Sequence, residues 1–241
     1  MAKLYIAQKK YNDAIVFLKR LETNSEYKAD YTFAINNLLL CYSQINMPED
    51  VLKYVKLVRE NEKSSQEDKF KTGLYAGKAY AQRNDNEAAI KEFNYTVANT
   101  KTIAAAEAKY NIALLEYQQG KYKASQKICF DLAKDLPNYD YWIAKTFILL
   151  ADNYVALKDD FQAKATLQSV IDNYKANDDI LPTAKQKLQV VSGTPATAPE
   201  QVKPEDTQQA KPDTTQQTQP TAPPAEKPAL NEQSKQDNKE Q

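Results

Sequence analysis

The chain has 241 residues, with 32 Lys and Arg against 32 Asp and Glu, no His, two Cys, four Gly and eleven Pro. Without His there is no Ser-His-Asp or Cys-His pair and no imidazole metal ligand, and four Gly are too few for a phosphate-binding loop together with the turns of a β-rich domain. Zero net charge argues against a nucleic-acid binder, two Cys make neither a disulfide framework nor a zinc site, and no apolar run approaches the ~20 residues a membrane-spanning helix needs.

From the start of the chain, Lys3 to Gln8 read as the end of a helix, followed by Lys10-Tyr11-Asn12 and a second helix over 12–22. Apolar residues then recur at helical spacing, broken by short polar connections at Asn46-Met47-Pro48, Arg83-Asn84-Asp85-Asn86 and Gln118-Gln119-Gly120. Pro48, Pro137 and Pro182 fall where helices end or begin. Ser64-Ser65-Gln66-Glu67 fits a capping box for the helix entering the third unit. Asp159-Asp160 and Asp178-Asp179 fall at helix boundaries, where carboxylates meet the positive end of the helix dipole, so they read as caps rather than a catalytic pair. Long alternating stretches of the kind strands need are missing, so the body is all-α. Its last helix opens at Asp178-Asp179, holds Pro182 in its first turn and lines Leu181, Ala184, Leu188 and Val191 along one apolar face.

Composition changes near Ser192. Eight of the eleven Pro lie beyond it, no aromatic does, and eight acids outnumber five Lys. Such a segment cannot bury enough apolar surface to offset the entropy of ordering it, which predicts disorder over 192–241. The P-x-x-P spacing at Pro220 to Pro223 reads as an accident of a Pro-rich linker. Three segments are therefore expected: 1–177, a stack of helical repeats; 178–191, a capping helix; and 192–241, the tail.

One pattern recurs through the body: a small or apolar residue, an aromatic three positions on, a polar turn, and a small residue twelve positions after the first. It reads Ala2, Tyr5, Ala14, then Leu39, Tyr42, Val51, then Gly77, Tyr80, Ala89, and finally Ala151, Tyr154, Ala163. In the fourth unit, at Ala113, the aromatic (Tyr117) stands one place late and the small residue (Ala124) one place early. The five anchors differ by 37, 38, 36 and 38. Small residues suit the places where two antiparallel helices cross, and the second helix of each unit carries an apolar stripe that one hairpin cannot cover alone. The stripes are Ile15, Leu18 and Leu21; Leu52, Val55 and Val58; Ile90, Phe93 and Val97; Ile128 and Leu132; and Leu167, Val170 and Ile171.

These residues resemble the tetratricopeptide repeat family, best in unit three, where Gly77, Tyr80, Ala89 and Phe93 occupy the family's glycine, tyrosine, alanine and aromatic positions. Pro137 resembles the proline that closes a family repeat, while the family tryptophan is not matched, since Trp142 lies before the expected place. The longer units are similar to those of bacterial cell-envelope scaffolds. The resemblance implies a right-handed α-solenoid of about five hairpins whose first helices face a concave, peptide-binding side. Carried over position by position, it points to Asn36, Leu40, Ser43 and Gln44; to Lys78 and Gln82; to Tyr110, Leu114, Tyr117 and Gln118; and to Lys145, Ile148 and Asp152. Polar amides beside Tyr suit an extended peptide backbone, because they offer both donors and acceptors. The family's carboxylate clamp is not reproduced, the Lys and Asn present not standing at its positions.

The expected function is non-enzymatic: a scaffold for a protein or peptide partner, with no cofactor, no metal, no nucleic acid and no membrane span. The alternative is a structural spacer packed against other repeats of a parent chain. The truncated first unit predicts the C-terminal part of a longer bacterial repeat protein, placed in the periplasm or cell envelope ahead of the cytoplasm. Cys41 and Cys129 lie on apolar helix faces and read as packing residues.

Overall fold

Each reversal of the chain within a hairpin is made by one residue in the left-handed region: Lys9 (φ 58°), Asn46 (57°), Asn84 (61°), Gly120 (75°) and Lys158 (65°). They stand 37, 38, 36 and 38 positions apart. At each, the next amide reaches back to a carbonyl five residues earlier: Lys10 to Tyr5, Met47 to Tyr42, Asp85 to Tyr80, Lys121 to Glu116 and Asp159 to Tyr154, at 2.8–3.0 Å. This is the Schellman closure, which satisfies carbonyls that the end of a helix leaves open.

The computed structural model describes residues 1–24 and 27–193. Eleven helices lie among them: α1 (Ala2–Ala7), α2 (Tyr11–Asn24), α3 (Lys28–Gln44), α4 (Pro48–Glu60), α5 (Gln66–Gln82), α6 (Asn86–Asn99), α7 (Ile103–Gln118), α8 (Tyr122–Asp135), α9 (Asp140–Ala156), α10 (Asp160–Asn173) and α11 (Ile180–Ser192). No strand occurs among the described residues. Consecutive helices pack in pairs, and the first helices of successive pairs also touch (α3 on α5, α5 on α7, α7 on α9), while α11 rests on α9 and α10. The fold is an all-α solenoid of five hairpins and a closing helix. The last helix runs to Ser192 and is ended by Gly193 at φ 73°. The sequence predicts the disordered tail over 192–241; Ser192 instead closes this helix, and the residues from 194 on lie outside the described residues.

The turns fix the register of unit four differently from the reading of its aromatic. Glu116, not Tyr117, supplies the closing carbonyl, and Ser125, not Ala124, is the small residue at the crossing. Ser125 is buried and Ala124 exposed. With that change the second-helix positions Ala14, Val51, Ala89, Ser125 and Ala163 are all buried, twelve residues after Ala2, Leu39, Gly77, Ala113 and Ala151. Nothing in composition distinguishes Ala124 from Ser125 as a small residue; only the turn does.

One cap also shifts by one residue, and at α11 the expected pair caps through its first member. Ser65, not Ser64, is the N-cap of α5, accepting from the Asp68 amide at 3.0 Å. At α11 the side chain of Asp178 accepts from the Ile180 amide at 3.0 Å, and Asp179 makes no side-chain cap bond. Asp159 and Asp85 cap α10 and α6.

The hairpins are tied to one another by polar contacts on top of the apolar stripes. Arg59 at the end of α4 donates to Thr72 on α5 (2.7 Å) and to both carboxylate oxygens of Glu92 on α6 (3.3 and 2.6 Å), and its guanidinium lies over the Tyr95 ring. Tyr54 on α4 is wholly buried, and its hydroxyl meets Lys19 and Glu22 of α2. Burial pushes that hydroxyl up to about 12.

Candidate protein-binding face

The first helices of units two to four place the same turn of helix side by side. Gln44 on α3, Gln82 on α5 and Gln118 on α7 each stand two residues before the left-handed turn residue, and all three are exposed. They line one cleft of about 710 Å³ together with Ser43, Lys78 and Leu114. Gln82 Nε2 donates to Asn46 Oδ1 at 2.8 Å, so the amides already bond from one unit to the next. Lys78 is paired with Glu107, which leaves this cleft polar without a net charge. Asn111, absent from the expected set, also lines the cleft, although its Nδ2 is held by the Glu107 carbonyl at 2.7 Å. The signal for it is the repeat itself, since Asn37 and Tyr75 occupy the same place in units two and three.

A second cleft of about 790 Å³, between α3 and α5, holds Asn36 and Leu40 beside Phe33 and Tyr75. Asn36 Nδ2 lies 3.5 Å from Asp68 Oδ2. Tyr110 and Lys145 meet in a third place. The Lys145 ammonium sits over the rings of Tyr141 (5.1 Å), Trp142 (5.5 Å) and Tyr110 (5.7 Å) and donates to the Tyr141 hydroxyl at 2.9 Å. Burial pushes the Tyr110 hydroxyl up to about 12, with the Asp152 carboxylate acting in the same direction.

Three expected residues stand apart. Ile148 is 6 % exposed and belongs to the core with Ala151, Leu167 and Ala184, because α11 packs on α9 there; this corrects its expected place on an accessible face. Asp152 accepts from Lys187 of α11 at 2.7 Å. Tyr117 packs on Tyr122 across its own hairpin turn, centroids 5.5 Å apart. The thiols of Cys41 and Cys129 are buried, which pushes them up to about 11 and about 12, so neither is a thiolate near neutrality. Among the described residues no helix is long and apolar enough to cross a membrane.

Stacked hairpins with a small or apolar residue at each crossing define a helical-repeat protein, an α-solenoid. Residues 145–176 match the family model described as tetratricopeptide repeat. Among solved structures, a thermophilic TPR protein of Thermus thermophilus superposes with a TM-score of 0.54 at 13% identity, over 78% of this chain and 95% of that one. BtubC (BKLC) from P. vanneervenii superposes with a TM-score of 0.57 at 12% identity, over 87% of this chain and 85% of that one. No curated protein sequence matches. A tetratricopeptide repeat is thus matched over residues 145–176, and the rest of the body shares the solenoid fold of these two structures.

Proposed function

We propose that the chain is a non-enzymatic scaffold that holds an extended segment of a partner protein across the first helices of units two to four. The observation that carries this reading is the row formed by Gln44, Gln82 and Gln118, one exposed amide per repeat in a single cleft. An extended backbone offers a donor and an acceptor at every residue, and a carboxamide satisfies either without regard to side-chain sequence. The first helices touch one another from unit to unit, which supports theirs as the inner side of the stack. Leu114 gives the cleft an apolar contact for a side chain of the segment.

The test is selection of binders from a random twelve-residue peptide display library, followed by titration calorimetry of a recovered peptide. Replacing all three glutamines with Ala is expected to weaken that peptide by about tenfold or more, since each net hydrogen bond contributes ~0.5–1.5 kcal/mol. Recovery of no binder, or of binders indifferent to the triple substitution, rejects the reading.

A further inference from the structure

Three buried side-chain atoms have no hydrogen-bond partner among the described residues: Gln126 Nε2, Thr146 Oγ1 and Asn153 Oδ1. All three lie at one junction, where α8 of unit four meets α9 of unit five. The other repeats serve as internal controls. Where unit five has Asn153, units two to four have Cys41, Ala79 and Leu115, all buried. Where unit four has Gln126, units one to three have Ile15, Leu52 and Ile90. Its neighbour Ser125 stands where Ala14, Val51, Ala89 and Ala163 stand, and Asn153 Nδ2 donates to it at 3.0 Å while leaving its own carbonyl oxygen unmet. Thr146 corresponds to Thr72, but Thr72 Oγ1 accepts from Arg59, and the residue equivalent to Arg59 in unit four is Ala133.

The same junction is packed along its middle by Cys129, Leu149 and Leu150, and its strongest polar and ring contacts lie at one edge. At the start of α9 the Tyr139 hydroxyl donates to the Lys101 carbonyl at 2.6 Å, and the Trp142 ring packs on Tyr110 of α7 with centroids 5.5 Å apart. Tyr139 and Trp142 also close over Leu136, Ala105 and Ala106. Asn153, Ser125 and Gln126 lie at the other end of the two helices, near the hairpin turns.

We propose that the solenoid hinges here: units one to four and the body of α9–α11 swing apart about the edge stitched by Tyr139 and Trp142. An unpartnered buried polar atom carries a desolvation penalty, and that penalty is recovered when opening admits water. The junction between units two and three is the opposite case, since parting it strips Arg59 from Glu92 and Thr72 and regains nothing. The glutamine row lies wholly on the larger body, whereas Lys145 rides on the smaller one against Tyr110. The hinge therefore sets the angle between these two parts of the inner face, whatever binds there.

The test is hydrogen exchange read by mass spectrometry on the full chain. Amides of α9–α11 are expected to exchange through an opening easier than that of α3–α6. Asn153→Leu combined with Ser125→Ala, the residues of the other repeats, is expected to slow exchange in α9–α11 about tenfold and leave α3–α6 unchanged. Gln126→Ile is an independent variant expected to act in the same direction. Exchange in wild-type α9–α11 no faster than in α3–α6 overturns the hinge whatever the variants do, as does a folded variant in which that exchange is unchanged.

Discussion

Gly73 on α5 faces the backbone of Glu92 on α6 so closely that a methyl group on its Cα would lie 2.4 Å from the Glu92 carbonyl oxygen. One turn on, a methyl group at Gly77 would meet the Phe93 ring at 2.4 Å. These two glycines let the helices of unit three approach until Phe93 is 1 % exposed and Arg59 can reach Thr72 and Glu92 together. In an isolated helix Gly→Ala is worth up to about 1 kcal/mol in favour of Ala. At Gly73 that gain is outweighed, because the obstructing atom is backbone and the two helices must move apart. Gly73→Ala is therefore expected to lose ~1–3 kcal/mol in urea unfolding. Gly77→Ala should lose less, since a ring can tilt where a backbone cannot. A gain in stability at Gly73 would mean that the crossing is looser than described.

Arg59 joins three helices through one planar group. Arg59→Ala leaves the Glu92 carboxylate, itself four-fifths shielded, without its partner, and removes the donor that Thr72 accepts from. The expected loss is ~1–3 kcal/mol, the range for unsatisfied buried groups. Arg59→Lys should recover little of it, because an ammonium cannot bond both oxygens of Glu92 and Thr72 in one plane. Full recovery by Lys would show that charge alone, not the fork, holds units two and three together.

Much of this architecture is legible in the sequence because small residues at a helix crossing and an aromatic before a turn are steric necessities that repeat with the chain. Unit four departs from its sequence reading for a physical reason. Tyr117 and Ala124 carry the expected side chains, but register is set by backbone closure, and Lys121 bonds to the Glu116 carbonyl whatever side chain 116 bears. The candidate binding face is legible by column and not by burial. Gln44, Gln82 and Gln118 share a cleft as the repeat implies, while Ile148, equally well placed by column, is covered because α11 lies where a sixth repeat's first helix would. Gly73 has no signature beyond being a glycine in a helix, since the atoms it faces belong to Glu92, Tyr95 and Thr96 on the next one.

The register of unit four has its own test. Ala124→Lys should be neutral within roughly 0.5 kcal/mol, as at any exposed helix position, whereas Ser125→Lys should abolish the cooperative melt of the body, because it would bury an unpaired ammonium between packed helices. Equal tolerance at the two positions would favour the register that Tyr117 and Ala124 suggest.

At the turn residues, Lys9 and Lys158 hold a conformation in which Cβ crowds the following carbonyl at a cost of roughly 1–2 kcal/mol, which Gly120 avoids at the same place in unit four. Lys158→Gly is accordingly expected to raise stability by about 1 kcal/mol and the melting temperature by a few degrees. Gly120→Ala should lower it by a similar amount although nothing lies within 4 Å of the added methyl, so the effect isolates backbone conformation from packing.

Alkaline pH should weaken the fold over a definable window. Tyr54, Tyr75 and Tyr110 are each pushed from 10 up to about 12, chiefly by burial, and Cys41 and Cys129 from 9 up to about 11 and about 12. Between the unfolded and folded values the unfolded chain has released these protons and the folded chain still holds them, so unfolding releases protons and stability falls as pH rises. The stability is whole below pH 9, declines first through the thiols and then through the tyrosines, and has lost this contribution by about pH 12. Urea midpoints measured at about pH 7, 9, 10.5 and 11.5 should therefore be level between the first two and drop steadily across the last two. Replacing Cys41 and Cys129 with Ala, a change unrelated to the tyrosines, should remove only the part of the decline that begins near pH 9. A midpoint constant to about pH 11.5 would mean that these hydroxyls and thiols reach water in the folded chain.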